Sequence, residues 1–431
     1  MERNVILICI DGLAAYYLDD PSCIMPNLKE LADKGTRAKS MKVAYPSSTW
    51  AMNTSIVTGV YPKKHGVLGN WVVNRAERKV VEIFGDRHVE KETRVQVPTV
   101  YDVAHQKGAR TAAICWPVTR GAKHLDLNIP EFYEQELFER YCTPSFWNEL
   151  KEHGFPVEQY GEWSKDHARG HMQDWLTAEI AKHLIRTHHP NFMMLHFLLA
   201  DSLQHDYGTR SPEAYWAMNY IDERIGEIRR AVQEQGREQD TDWFIVSDHG
   251  FRDAHSVLNP NVLFKQKGWF DEEDSSKSQA MAVSNGGSGY VYVFDQELKD
   301  QVKAELLATG VVECVFERAE FSSLGLPDHD HPHLPDLIIE AKEGYFIYFG
   351  AEGDQVIGTH KYKGMHGYLP GNEELKAIFV ASGPDIIPGM ELPEMDIVDI
   401  APTIADILDL ELPGTDGKVL RTMIQGKEVR A

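Results

Sequence analysis

Val5-Ile6-Leu7-Ile8-Cys9-Ile10 runs without a charged interruption into Asp11. A near-continuous apolar run of this length reads as a parallel strand covered by helices on both faces. Two later stretches repeat the pattern. Phe192-Met193-Met194-Leu195-His196-Phe197-Leu198-Leu199-Ala200, interrupted at His196, reaches Asp201, and Trp243-Phe244-Ile245-Val246-Ser247 reaches Asp248. In an open α/β sheet, functional groups lie just beyond the carboxyl ends of the strands. Three aspartates from remote parts of the chain are therefore expected on one sheet edge. Like charges held together call for a cation, so the pattern predicts a metal site.

Around these strands the chain alternates. Pro26 to Lys34 reads as a helix closed by Gly35, with proline and glycine in their favoured places. Met41 to Tyr45 reads as a short strand, followed by Pro46-Ser47-Ser48-Thr49 and a helical stretch from Thr49 to Thr58. Pro98 to Lys107 is helical in spacing, Arg110 to Trp116 strand-like, and Ala168 to Arg186 and Glu213 to Gln235 helical. This alternation predicts an α/β fold with a doubly wound, mostly parallel sheet. Residues 1–260 and 336–431 are read as the catalytic core, resuming at Leu337-Ile338-Ile339 and Ala377 to Val380 and closing with a helix from Ile400 to Leu408. The aromatic-rich stretch 120–170 is read as a cap inserted in that core, and 261–335 as a small inserted α/β subdomain.

The 431 residues can bury a large core, and 42% hydrophobic with 26% charged residues is ordinary for a soluble globular chain. A net charge of −22 opposes binding to nucleic acid polymers or an anionic membrane surface. An anionic substrate then needs local cations, which a metal site supplies. The longest apolar run is too short to span a bilayer. Cys9, Cys23, Cys115, Cys142 and Cys314 are scattered and odd in number, which favours a reducing compartment. With the first strand starting near Asn4, a cytoplasmic location is expected.

Asp201-Ser202-Leu203-Gln204-His205 places a carboxylate and an imidazole on one face if the chain turns helical after the strand. Asp248-His249 adds a second pair, and His366 stands in a glycine-flanked loop. Aspartate with histidine suits zinc or manganese better than calcium. Thr49, after a strand and at a helix start, is the candidate nucleophile, with Ser47 and Ser48 as possible caps. A helix N-terminus favours an alkoxide or a bound phosphate, and metal coordination lowers the pKa of a hydroxyl.

Tyr45-Pro46-Ser47-Ser48-Thr49-Trp50, Thr58-Gly59-Val60-Tyr61-Pro62, His65-Gly66-Val67-Leu68-Gly69-Asn70, Ser247-Asp248-His249-Gly250 and Asp399-Ile400-Ala401-Pro402-Thr403 occur in that order. Together they resemble the type I phosphodiesterase/nucleotide pyrophosphatase family, within the alkaline phosphatase superfamily. The resemblance implies an alkaline phosphatase-like fold and two divalent ions, usually zinc. It implies that Asp201, His205 and His366 hold one ion, that Asp11, Asp248 and His249 hold the other with Thr49 bound to it, and that Asn70 contacts a phosphoryl oxygen. Where the family commonly has Pro-Asn-His after the nucleophile and its aromatic neighbour, this chain has Ala51-Met52-Asn53.

The expected activity is two-metal hydrolysis of phosphodiesters or nucleotide pyrophosphates through a phospho-threonine intermediate, on a small phosphorylated substrate. A phosphomonoesterase or a phosphonoacetate-type C–P hydrolase would use the same metals. A non-catalytic, metal-stabilised binding protein is the reading from another class. Asp328-His329-Asp330-His331-Pro332-His333 is read as a solvated loop, and His65 and His255 as structural. Cys142-Thr143-Pro144-Ser145-Phe146 lacks the arginine of a sulfatase motif.

Overall fold

The computed structural model describes residues 3–87, 90–328 and 331–426. An eight-stranded sheet runs through its centre. From edge to edge the strands are Met390–Leu392, Thr36–Ala38, Phe379–Ser382, Thr241–Val246, Asn4–Ile10, Phe192–Phe197, Thr111–Trp116 and Leu127–Pro130. Phe379–Ser382 is antiparallel to both its neighbours. The other neighbouring pairs are parallel, so the sheet is mixed and mostly parallel, as expected.

Alternate residues of the central strand face opposite ways, and each face has its own core. Val5, Leu7 and Cys9 pack with Trp50 and Ile56 of the Thr49–Thr58 helix and with Ile400 and Ile404 of the Ile400–Ile407 helix. Ile6, Ile8 and Ile10 pack with Leu176 and Ile180 of the Gly170–Thr187 helix and Ile221 and Ile225 of the Pro212–Glu234 helix. Burial on both sides is why this strand is apolar at every position. Each such buried aliphatic side chain contributes about 1.5–3 kcal/mol relative to exposure.

In-register parallel pairing levels the strand ends. Cys9 sits opposite both His196 and Val246, which brings the chain after all three strands to one edge. The second strand is shorter than its apolar run. It stops at Phe197, and Leu199–Tyr207 is a helix that already contains Asp201. Asp174 explains the early stop: its carboxylate accepts from Leu198 N at 2.9 Å and Leu199 N at 3.1 Å, capping the new helix.

Leu337–Ala341 does not rejoin the central sheet. It lies inside a smaller antiparallel sheet ordered Ala280–Ser284, Ser288–Val293, Leu337–Ala341, Val312–Glu317. Tyr290 and Tyr292 of this sheet pack into the same core as Trp50 and Phe244. The stretch read as a cap supplies the edge strand Leu127–Pro130, and Phe138, Phe146, Trp147 and Leu150 join the core on the Ile8 face. Met41–Lys42, expected to extend to Tyr45, pairs with Met395–Asp396 outside the central sheet, and Met41 also bridges Ala377. A further strand, Arg252–Leu258, pairs with Gly364–Met365 and so draws the loop bearing His366 beside His249. Among the described residues no helix is long and apolar enough to cross a membrane.

Candidate active site

A cavity of about 510 Å³ opens at the carboxyl edge of the sheet, and Asp11, Thr49, Asn70, Asp201, His205 and His366 all line it. Asp11 directly follows the central strand, and its N–H donates to Phe197 O at 2.9 Å. Asp248 is anchored from the same side: its Oδ1 accepts from Gly12 N at 3.2 Å and from His249 N at 3.0 Å. Gly12 is left-handed (φ 72°), and a Cβ there would press on the Phe251 ring at 3.0 Å and on the Asp201 backbone at 3.3 Å. A side chain is therefore strained at this position, and the close approach of the Asp11 and Asp201 segments depends on its absence.

The side chains fall into two groups. Asp201, His205 and His366 bring one ligand atom each to within 4.8 Å of one another, and so do Asp11, Asp248 and His249. His205 Nε2 is 3.5 Å and His366 Nε2 3.8 Å from Asp201 Oδ1. His249 Nε2 is 3.3 Å from Asp11 Oδ1 and 3.5 Å from Asp248 Oδ2. The His249 and His366 rings stack at 3.8 Å, which joins the two groups. Each imidazole donates its Nδ1 proton to a backbone carbonyl: His205 to Gly364, His249 to Gly250 and His366 to Ser47. That hydrogen bond fixes the tautomer and turns Nε2, as an acceptor, toward the carboxylates.

Electrostatics agree with this geometry. Burial lowers His205 to about 4 and His249 to about 3, and burial with the neighbouring His249 lowers His366 to about 3. All three are neutral imidazoles at pH 7. Burial raises Asp201 to about 6, with His366 pulling it down and Asp248 pushing it further up. Burial also raises Asp11, helped by Asp248 and Asp201. Asp11 Oδ1, Asp201 Oδ1 and His249 Nε2 are buried without a hydrogen-bond partner. Neutral imidazoles and unsatisfied carboxylate oxygens are the donor set that divalent transition ions take, so the residues fit such ions.

Thr49 is the first residue of its helix and is buried. The expected serine caps are not made: Ser47 Oγ donates to Tyr368 O at 2.9 Å, and Ser48 Oγ has no partner. The helix start is held instead by Asn70, whose Oδ1 accepts from Trp50 N at 3.2 Å. One turn on, Asn53 Nδ2 reaches both Thr49 O at 3.1 Å and Asp248 Oδ2 at 3.2 Å. Asn53 is one of the three positions where the chain departs from the common family string, and it ties the threonine-bearing helix to the aspartate group.

Two residues escaped the sequence reading. His196, which looked like a break in an apolar strand, lies beneath the site with Nδ1 2.8 Å from Glu131 Oε2 and Nε2 3.4 Å from Asp11 Oδ2. Burial works against its charge, but the attraction of Glu131 and the contacts with Asp11, Cys9 and Glu131 outweigh that and raise its pKa well above the ordinary imidazole value. The available signal was register, which sets His196 beside Cys9 two residues before Asp11. Glu131 follows Pro130 in the stretch read as a cap. His65 is structural: it is buried, bonded to Ser55 Oγ at 3.1 Å and accepting from Val67 N at 3.1 Å. His255 is exposed, and His329 and Asp330 lie outside the described residues.

The family model "Type I phosphodiesterase / nucleotide pyrophosphatase" matches residues 5–369. The chain belongs to this family. Venom phosphodiesterase CdcPDE of Crotalus durissus collilineatus is 23% identical over 96% of this chain and 45% of its own length. The chain thus spans a little under half the length of that relative. Ectonucleotide pyrophosphatase/phosphodiesterase family member 7 of Mus musculus is 20% identical over 98% of this chain and 88% of its own. The fold is shared with murine ectonucleotide pyrophosphatase/phosphodiesterase 5, solved in an inactive form in complex with AMP. Its TM-score is 0.72 at 16% identity, covering 98% of this chain and 100% of that one.

Proposed function

We propose that this type I phosphodiesterase family member hydrolyses phosphodiester or nucleotide pyrophosphate bonds, with Thr49 as nucleophile and two divalent ions held by Asp201/His205/His366 and Asp11/Asp248/His249. The observation that carries the reading is that Thr49 and the Asp201/His205/His366 group line one cavity, which the buried Asp11/Asp248/His249 group reaches through Asp11, with Thr49 tied to Asp248 through the Asn53 amide. Ligand type favours zinc, with manganese second. When bound, such ions neutralise phosphoryl charge and lower the pKa of a coordinated hydroxyl.

The chain's own groups do the rest. Thr49 Oγ1 forms the bond to phosphorus as the bond to the leaving oxygen breaks, and water then displaces the threonine, for net retention. The helix N-terminus beneath Thr49 favours charge on the phosphoryl oxygens. With Oδ1 engaged by Trp50 N–H, the Asn70 amide NH₂ is free to donate to an equatorial oxygen. Trp71, Phe84, Tyr133 and Phe349 give the cavity an aromatic wall suited to a flat ring, and Trp71 and Phe84 stack on each other at 5.5 Å. A nucleotide-sized substrate fits a cavity of about 510 Å³, whereas the −22 charge disfavours a nucleic acid polymer.

A cytoplasmic location belongs to the same proposal. It is supported by five unpaired cysteines, of which Cys23 and Cys115 are pushed up to about 12 by burial and stay as thiols. Assays of the zinc-loaded chain on a dinucleotide or p-nitrophenyl diester, a monoester and phosphonoacetate test the reaction. Preferred turnover of the diester or pyrophosphate is expected. Preference for the monoester or the phosphonate sinks the diesterase reading, and no turnover of any sinks the enzyme.

A further inference from the structure

A second constellation of ligand-type side chains lies away from the cavity. Glu149, near the end of the Pro144–Glu152 helix, faces His183 and His188 at the end of the Gly170–Thr187 helix. Glu149 Oε1 is 2.6 Å from His183 Nε2 and 2.8 Å from His188 Nε2, and Oε2 is 3.0 Å from His188 Nε2. One ligand atom from each lies within 4.8 Å of the others.

The cluster sits at the opposite edge of the central sheet. His188 precedes the Phe192–Phe197 strand, and its carbonyl accepts from Arg110, just before the parallel Thr111–Trp116 strand. Asp201 lies beyond the other end of the same six-residue strand, so roughly 20 Å separates the two places.

The rings are held in place before any ion arrives. Phe146 meets the His188 ring edge-on at 6.1 Å, and Phe155 meets His183 at 5.4 Å. The helix is closed by His188 N and His189 N, which both donate to Leu184 O at 2.9 Å, with His189 left-handed at φ 49°. His153, whose ring is 4.9 Å from that of His183, donates Nδ1 to the Glu149 carbonyl and stands next to the cluster.

We propose that Glu149, His183 and His188 form a further transition-ion site, with zinc the ion their chemistry favours. Two imidazole nitrogens and one carboxylate oxygen make a three-ligand zinc set, leaving the fourth position to water or to His153. Bound there, the ion bridges two helices that pack on the same core. It is remote from the reacting groups and independent of what they do.

The test is zinc content per chain by mass spectrometry after gel filtration, for the parent and for Glu149→Gln and His188→Gln, with phosphodiester hydrolysis measured alongside. Each variant is expected to lose one zinc relative to the parent with hydrolysis unchanged. Equal zinc in parent and variants overturns the site. Should a variant misfold, diethyl pyrocarbonate labelling of the parent decides. Zinc is expected to protect His183 and His188 and leave exposed His255 reactive. Unchanged labelling of His183 and His188 on adding zinc overturns the proposal.

Discussion

The two edges of the central sheet solve the burial of charge in opposite ways. At the carboxyl edge, Asp11, Asp201 and Asp248 are crowded and raised by burial, and two of their oxygens lack any partner. At the amino edge, Glu149 is met by two imidazoles within hydrogen-bond reach and is partly exposed. The first arrangement carries an electrostatic cost until cations arrive, while the second is satisfied without one. The proposed function places the chemistry where the fold leaves the larger debt unsettled.

The largest expected effect tests the carboxyl edge. Thr49→Ala should lower kcat for a phosphodiester by roughly 10³-fold or more while leaving thermal stability near that of the parent. Parent-like kcat would remove Thr49 from the chemistry. His196→Gln should lower activity and zinc affinity by about 10–100-fold, the usual cost of losing a group that orients a ligand. Unchanged zinc affinity would show that Asp11 does not depend on His196.

Glu149→Gln sharpens the contrast. It should leave kcat/KM within about twofold of the parent while removing the rise in Tm that zinc gives at the amino edge. A large loss of activity would mean the two edges are coupled.

The smallest effect concerns Asp174, the cap of the helix that bears Asp201. Burial raises it from 3.8 to about 7. Between those values the folded chain keeps a proton that the unfolded chain has released, so stability falls as pH rises through that window. Asp174→Asn should flatten this part of the Tm–pH curve. A curve parallel to that of the parent would show that the carboxyl does not titrate there.

The carboxyl edge was more legible than the amino edge because its signal is positional. An aspartate closing an apolar strand announces itself, and parallel pairing levels the ends. The Asp201–His205 spacing worked because the chain does turn helical there. His196 was hidden because one polar residue in a buried strand looks the same whether it is an orienting group or a packing accident. Leu337–Ile339 was misplaced because an apolar run says that a strand is buried but not which sheet takes it. Glu149, His183 and His188 were invisible for a further reason. They lie on surface helices among other charged residues, and only packing of two helices makes them neighbours.

The turn between Ala280–Ser284 and Ser288–Val293 has a practical consequence for redesign. Gly287 N donates to His366 O at 2.8 Å, Ser288 Oγ to Gly367 O at 2.7 Å, and Tyr290 OH to Leu68 O at 2.6 Å. One hairpin thus works as a jig that sets the spacing between the loops carrying His366 and Asn70. A shortened scaffold that discards the smaller sheet would retain every ligand-type residue of the cavity and still lose their alignment.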